Sequence, residues 1–152
     1  MSAPRPFRVL PAITQENEHF WLGGAQGELR FLRCQDCGWW LHPPAPICPI
    51  CLSRNLAVDV ASGLAEVYAY TVNWQQWLPN FDPPYVVAIV ELPEQKGLRL
   101  TTNIVGCGHS DVATGMAVRV TFEEYDDVWI PLFEPVEPGA TTQRSMTQEV
   151  ER

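Results

Sequence analysis

Residues 33 to 53 read RCQDCGWWLHPPAPICPICLS, and the two Cys-x-x-Cys pairs inside this stretch, Cys34/Cys37 and Cys48/Cys51, decide how it folds. Ten residues separate the pairs, and each pair has a turn former or breaker beside it, Gly38 after Cys37 and Pro49 inside the second. Such a pair turns the backbone tightly enough for both sulfurs to face one ion at roughly 2.3 Å. Four thiolates at tetrahedral corners fill the coordination sphere and leave no position for water or substrate, so the spacing predicts one structural zinc ion in a ribbon. The intervening residues are long enough for a hairpin carrying His42, Pro43 and Pro44 back to the ion. Disulfides are the competing use of these cysteines, but MSAPRPFRVLPAITQ contains no apolar core of signal-peptide length, and a cytosolic chain keeps its thiols reduced. The expected location is therefore the cytoplasm. A thioredoxin-like pair would need a βαβ setting that neither motif has. Four thiolates also suit an iron–sulfur cluster, which leaves iron open beside zinc.

Outward from the ribbon, composition limits the remainder. A chain of 152 residues with 46% hydrophobic residues can bury a core, and no run approaches the ~20 apolar residues of a membrane span. Ten basic residues stand against eighteen acidic ones, a formal charge of −8, and Lys96 is the single lysine. That balance repels phosphate backbones, so the electrostatic term that dominates nucleic-acid binding is missing. Fourteen prolines and ten glycines favour short strands and turns.

Before the ribbon, residues 1–13 read as a loosely held arm with Pro4, Pro6 and Pro11. The stretch from Thr14 to Leu22 predicts a helix, with Thr14 as N-cap, Glu16 and Glu18 in its first turn, and Gly23-Gly24 as its stop. Phe20 and Trp21 on it need a surface, either the protein's own ribbon or another chain. Trp39 and Trp40 lie between the knuckles, where one is expected to cover the metal and the other to face a partner. After the ribbon the pattern turns to period two. Strands are expected over Gly63 to Trp74, Tyr85 to Leu92, Leu98 to Val105, Ala117 to Glu124 and Trp129 to Phe133, the last an edge strand marked by Pro131. Five short strands suggest an OB-fold barrel. The loop QQWLPNFDPP (75–84) and Trp74 before it are too apolar for a routine solvent loop; Trp74, Trp77 and Phe81 plug the barrel or meet a ligand or partner. Cys107 and His109 sit in a turn with no oxyanion donor, which argues against a nucleophile there. The domain division expected is 1–27 arm and helix, 28–56 zinc ribbon, 57–136 OB-fold and 137–152 disordered tail.

Taken together, HFWLGG (19–24), the ribbon, SGLAEVYAYTV (62–72), PYVVAIVEL (84–92) and GMAVRVTF (115–122) resemble the zinc-ribbon plus OB-fold acyl-CoA-associated protein family, from about Thr14 to Val136. The resemblance implies a mainly β protein with an N-terminal helix, a rubredoxin-like zinc ribbon and a five-stranded OB-fold barrel. It implies a non-catalytic accessory subunit that docks on a thiolase-like enzyme acting on acyl-CoA thioesters, in a heterotetramer with two copies of each chain. By matching position, Cys34, Cys37, Cys48 and Cys51 take the metal; Phe20, Trp21, Trp39 and Trp40 fall in docking segments; Trp77 and Phe81, beside Trp74, fall near the substrate. Arginines and the single lysine are scattered along the chain, so contact with CoA is expected to be indirect. The alternatives are partnership with a MaoC-type enoyl-CoA hydratase and OB-fold binding of nucleic acid. The acyl chain, whether steroid, aromatic or aliphatic, is not encoded in any motif.

Overall fold

A computed structural model describes residues 5–136. The expected tail, 137–152, lies outside the described residues. The N-terminal helix α1 is short, Glu18–Leu22, and runs into a single 3₁₀ turn, Gly23–Gln26. Thr14 is not its N-cap. The Thr14 carbonyl instead accepts from the N–H groups of Asn17 and Glu18, and Asn17 Oδ1 accepts from the Thr14 N–H at 2.8 Å, which forms a turn ahead of the helix. The α-helix ends where the Gly23-Gly24 stop predicts, with Gly23 as its C-cap, and the pair tightens the chain into the 3₁₀ turn. Gly24 allows this because its Cα faces the barrel: a Cβ there would come within 2.6 Å of Phe122 Cδ1 and overlap Trp129. Gly27, at φ 71°, ends the turn.

Three antiparallel strands form the ribbon's sheet: β1 (Leu29–Cys34), β2 (Trp40–Leu41) and β3 (Leu56–Ala61), in the order β2-β1-β3. β3 pairs with β1 along its whole length, from Cys34↔Leu56 to Leu29↔Ala61. The expected boundary at 56/57 thus falls inside β3. Five further strands close into a barrel: β4 (Leu64–Asn73), β5 (Tyr85–Glu91), β6 (Arg99–Ile104), β7 (Ala117–Tyr125) and β8 (Val128–Pro135), in the order β4-β5-β6-β8-β7. Their inward positions alternate along β4, β5 and β6, as period two requires. β8 is not an edge strand, because it pairs antiparallel with β7 over eight residue pairs and parallel with β6 at Ile104↔Phe133. Pro131 is tolerated because it precedes that closing pair, and its carbonyl is satisfied by the Thr102 hydroxyl at 3.0 Å.

The barrel core, with Val67, Val90, Val118 and Phe133 fully buried, is continuous with Phe20, Leu29, Phe31 and Trp40 from the helix and ribbon. A second, smaller cluster of Cys34, Leu41 and Cys48 is packed by Trp39 and Leu56. Over its described residues, from Arg5 onward, the N-terminal arm is held more firmly than expected. Arg8 bonds Glu123 at 3.0 Å and Asn103 Oδ1 at 2.8 Å, and Tyr125 donates its hydroxyl to the Pro6 carbonyl at 2.7 Å. The prolines predict a loosely held arm; Arg8 instead finds partners on strands about a hundred residues away in sequence. Among the described residues, no helix is long and apolar enough to cross a membrane.

Candidate metal centre and docking surfaces

Both Cys-x-x-Cys pairs build the same turn. In the first, the Gly38 N–H donates to the Cys34 carbonyl at 2.9 Å and the Cys34 N–H donates to the Trp39 carbonyl at 2.8 Å. In the second, Leu52 donates to the Cys48 carbonyl at 3.0 Å and Cys48 donates to the Ser53 carbonyl at 2.9 Å. The residue after the second cysteine is left-handed in each, Gly38 at φ 80° and Leu52 at φ 62°. Glycine takes that conformation freely; leucine takes it at a cost of roughly 1–2 kcal/mol. A polar clasp joins the two turns: Asp36 accepts from the Ser53 hydroxyl and from Asn55 Nδ2 at 3.0 Å, and Gln35 N–H donates to the Asn55 carbonyl at 2.8 Å. Those bonds, Ser53 foremost, hold the Asp36 carboxyl below its ordinary value. This clasp was not legible in sequence; Ser53 and Asn55 directly after the second pair were the available signal.

The turns bring all four sulfurs within 4.8 Å of one another, with Cys34–Cys51 at 3.5 Å and Cys37–Cys48 at 3.6 Å. A tetrahedron with ~2.3 Å metal–sulfur bonds has edges of about 3.8 Å, so the cage fits zinc in size as well as in its all-sulfur donor set. Cys34 lies at about 7, lowered first by the Cys37 N–H against the cost of burial, then by the Asp36 N–H and the Cys51 and Cys37 thiols. The Trp39 N–H pulls Cys37 down too, but burial and the Cys48, Cys51 and Cys34 sulfurs override it and push it up to about 12. Four thiolates at this spacing need a divalent cation among them. The ribbon therefore carries one structural zinc ion.

The aromatics of the docking segments divide. Phe20 and Trp40 are buried: Phe20 packs on Trp21, Phe31 and His42 at ring distances of 4.7, 5.9 and 4.8 Å, and Trp40 lies under the Arg33 guanidinium at 4.9 Å. Their side chains belong to the chain's own core. The apolar residues around them, Phe31 and Leu29, needed a cover, and these rings supply it. Trp21 and Trp39 are half-buried, and Trp39 is the tryptophan that packs on the cysteine cluster. What the ribbon does expose was not singled out in sequence: Ile50 at 58% and Leu52 at 75% on the second turn, with Val58 and Val60 on β3.

The two tryptophans of the 74–84 stretch face solvent. Trp74 is 66% exposed and Trp77 71%, so neither is a plug. Both rings are nevertheless fixed: Trp77 Nε1 donates to Asn73 Oδ1 at 3.0 Å, and Trp74 meets the edge of His109 at 5.0 Å. Phe81 is half-buried on Tyr85 at 4.3 Å and beneath Arg8 at 5.0 Å. His109 thus serves the Trp74 ring. The Cys107 thiol is pushed up by burial and by Asp111, the reverse of an activated nucleophile.

Comparison with known proteins matches residues 21–57 to the family described as ChsH2, rubredoxin-like zinc ribbon domain, and residues 59–123 to ChsH2, C-terminal OB-fold domain. A DUF35 domain-containing scaffold protein of Methanocaldococcus jannaschii is 38% identical over 70% of this chain and 80% of its own length. A probable enoyl-CoA hydratase alpha subunit of Thermomonospora curvata is 38% identical over 89% of this chain, which spans only 42% of that protein's length. Among solved structures, a chain of the Ltp2-ChsH2(DUF35) aldolase superposes with a TM-score of 0.75 at 37% identity, covering 83% of this chain and 98% of the other.

Proposed function

Because the chain belongs to the DUF35 family of ChsH2-type zinc-ribbon plus OB-fold proteins, we propose that it is a non-catalytic accessory subunit of a thiolase-like enzyme acting on acyl-CoA thioesters. The observation that carries this reading is the superposition on nearly the whole ChsH2(DUF35) chain of an aldolase assembly, ribbon and barrel together. In this reading the ribbon docks through what it exposes, Ile50, Leu52, Val58 and Val60, with the half-buried Trp21 and Trp39 behind them. Trp74, Trp77 and Phe81 lie toward the substrate entrance, on a loop whose rings are already fixed and so lose little freedom on contact. Contact with acyl-CoA is indirect, the complex is cytoplasmic, and two copies of each chain make a heterotetramer.

A hydratase partner of the MaoC type is the second reading, favoured by the enoyl-CoA hydratase alpha subunit among the relatives. Co-expression with a neighbouring thiolase-like or hydratase-like gene separates the two. The expected result is a stable heteromer with one zinc per copy of this chain and thioester turnover only in the mixture. A chain that elutes alone beside a fully active enzyme overturns the accessory reading. Salt-sensitive binding to single-stranded DNA would revive the nucleic-acid alternative, against which the charge of −8 argues.

A further inference from the structure

At the barrel end away from the tryptophan loop, β4, β7 and the β5–β6 turn line an open cavity of about 350 Å³. Its floor is apolar, from the buried Ala65, Leu92 and Val118. Its rim is acidic. Glu66 and Glu91 are direct cross-strand partners on β4 and β5, a like-charge pairing that destabilises an antiparallel ladder. Glu91 is answered within the chain: Arg99 Nε bonds it at 2.8 Å and lies over the Tyr68 ring at 3.6 Å. Glu66 has no ion-pair partner among the described residues.

These two properties together select the guest. A wholly apolar group on this floor would strip water from Glu66 and give nothing back. An acidic group would be repelled by the unpaired Glu66. A long hydrocarbon stem with a cationic head satisfies both, and a guanidinium can hold a carboxylate with two parallel hydrogen bonds. We propose that this cavity is the receptor for an arginine side chain presented by a partner protein. A second copy of this chain is the poorer occupant, since two molecules of charge −8 repel. The accessory-subunit reading is used only for which protein presents the arginine.

The test is an NMR titration of the full, zinc-loaded chain with n-butylguanidinium, using n-butanol and butyrate as controls. Saturable shifts at the amides of Ala65, Leu92 and Ala117 are expected with the guanidinium. Butanol should bind at least tenfold more weakly and butyrate not at all. Glu66→Gln should lower guanidinium affinity at least tenfold with the remaining spectrum unchanged, and Ala117→Leu, at an exposed cavity position, should block binding. Equal binding of butanol and guanidinium, or indifference to Glu66→Gln, overturns the proposal. So do concentration-dependent dimers that shift these same amides, or cross-peaks from residues 137–152 to Ala117. In the co-expressed complex, Glu66→Lys should weaken association at least tenfold. A complex that forms at full strength with Glu66→Lys overturns the proposal while leaving the accessory reading intact.

Discussion

Gln95 and Trp40 join the two halves of the molecule as adjacent strands would: Gln95 Oε1 accepts from the Trp40 N–H at 2.9 Å and Gln95 Nε2 donates to the Trp40 carbonyl at 3.0 Å. A side chain of the barrel's β5–β6 turn thereby supplies both backbone partners of a ribbon residue. Next to it, Glu94 accepts from the Ser62 N–H in the link between β3 and β4.

Gln95→Ala should leave that donor and acceptor unmatched beside a buried ring, at a cost of about 1–3 kcal/mol. The expected outcome is a lower melting temperature with zinc still bound. Relaxation rates should show ribbon and barrel tumbling less rigidly together. Unchanged relaxation would place the rigidity of the joint in the shared core of Phe20, Leu29 and Phe31 instead.

Cys34→Ser and Cys51→Ser should each release the ion and unfold the ribbon. Structural zinc contributes roughly 10–16 kcal/mol in small finger peptides, comparable to the whole stability of a domain. Metal analysis should fall from one zinc to none, while barrel amides keep their dispersion. A chain holding iron in place of zinc would reveal itself in the same analysis by its colour and metal content.

Leu52→Gly should act in opposite directions on two measurements. Relief of the left-handed leucine at φ 62°, less the entropy of a glycine, should stabilise the isolated chain by up to about 1 kcal/mol. Loss of an apolar side chain that is 75% exposed should weaken docking on the partner enzyme. Denaturant unfolding reads the first and binding affinity the second. Unimpaired docking would remove Leu52 from the interface.

His42 makes stability depend on pH. Burial among Phe20 and Phe31, with some help from the nearby His19, lowers it from 6.5 to about 4. Between those values the unfolded chain takes up a proton that the folded chain refuses. Its contribution is therefore complete above pH 6.5 and is lost as the pH falls to about 4, amounting to roughly 3 kcal/mol at the acid end. His42→Phe should flatten this part of the stability–pH curve, as measured by urea unfolding at pH 7 and pH 4.5.

The metal cage and the barrel strands were legible because their signals are local. Paired Cys-x-x-Cys motifs fix a turn whatever surrounds them, while the nearly continuous apolar run YVVAIVEL and the alternation along AVRVTFEE each mark a strand. Where a segment packs is decided by residues far away in sequence. Phe20 and Trp40 look like docking aromatics until Phe31 and the barrel close over them. Leu56–Ala61 has strand character, but nothing in it says that β1 and not β7 is its neighbour. Arg8 becomes a contact only once Asn103 and Glu123 are brought to the same side.

That arginine has a role in the order of events. β8 lies between β6 and β7, and β6 meets β8 through the one parallel pair Ile104↔Phe133, supported by the Val105 N–H on the Phe133 carbonyl at 2.8 Å. Arg8 bonds Asn103 on β6 and Glu123 on β7, so it reaches over β8 and latches the thinnest joint of the cylinder from outside. The barrel has to unlatch before it can gape. The Val105 amide should therefore exchange with solvent no faster than residues 5–13 lift away, and cutting that leading segment with a protease should loosen a seam about a hundred positions further along the chain.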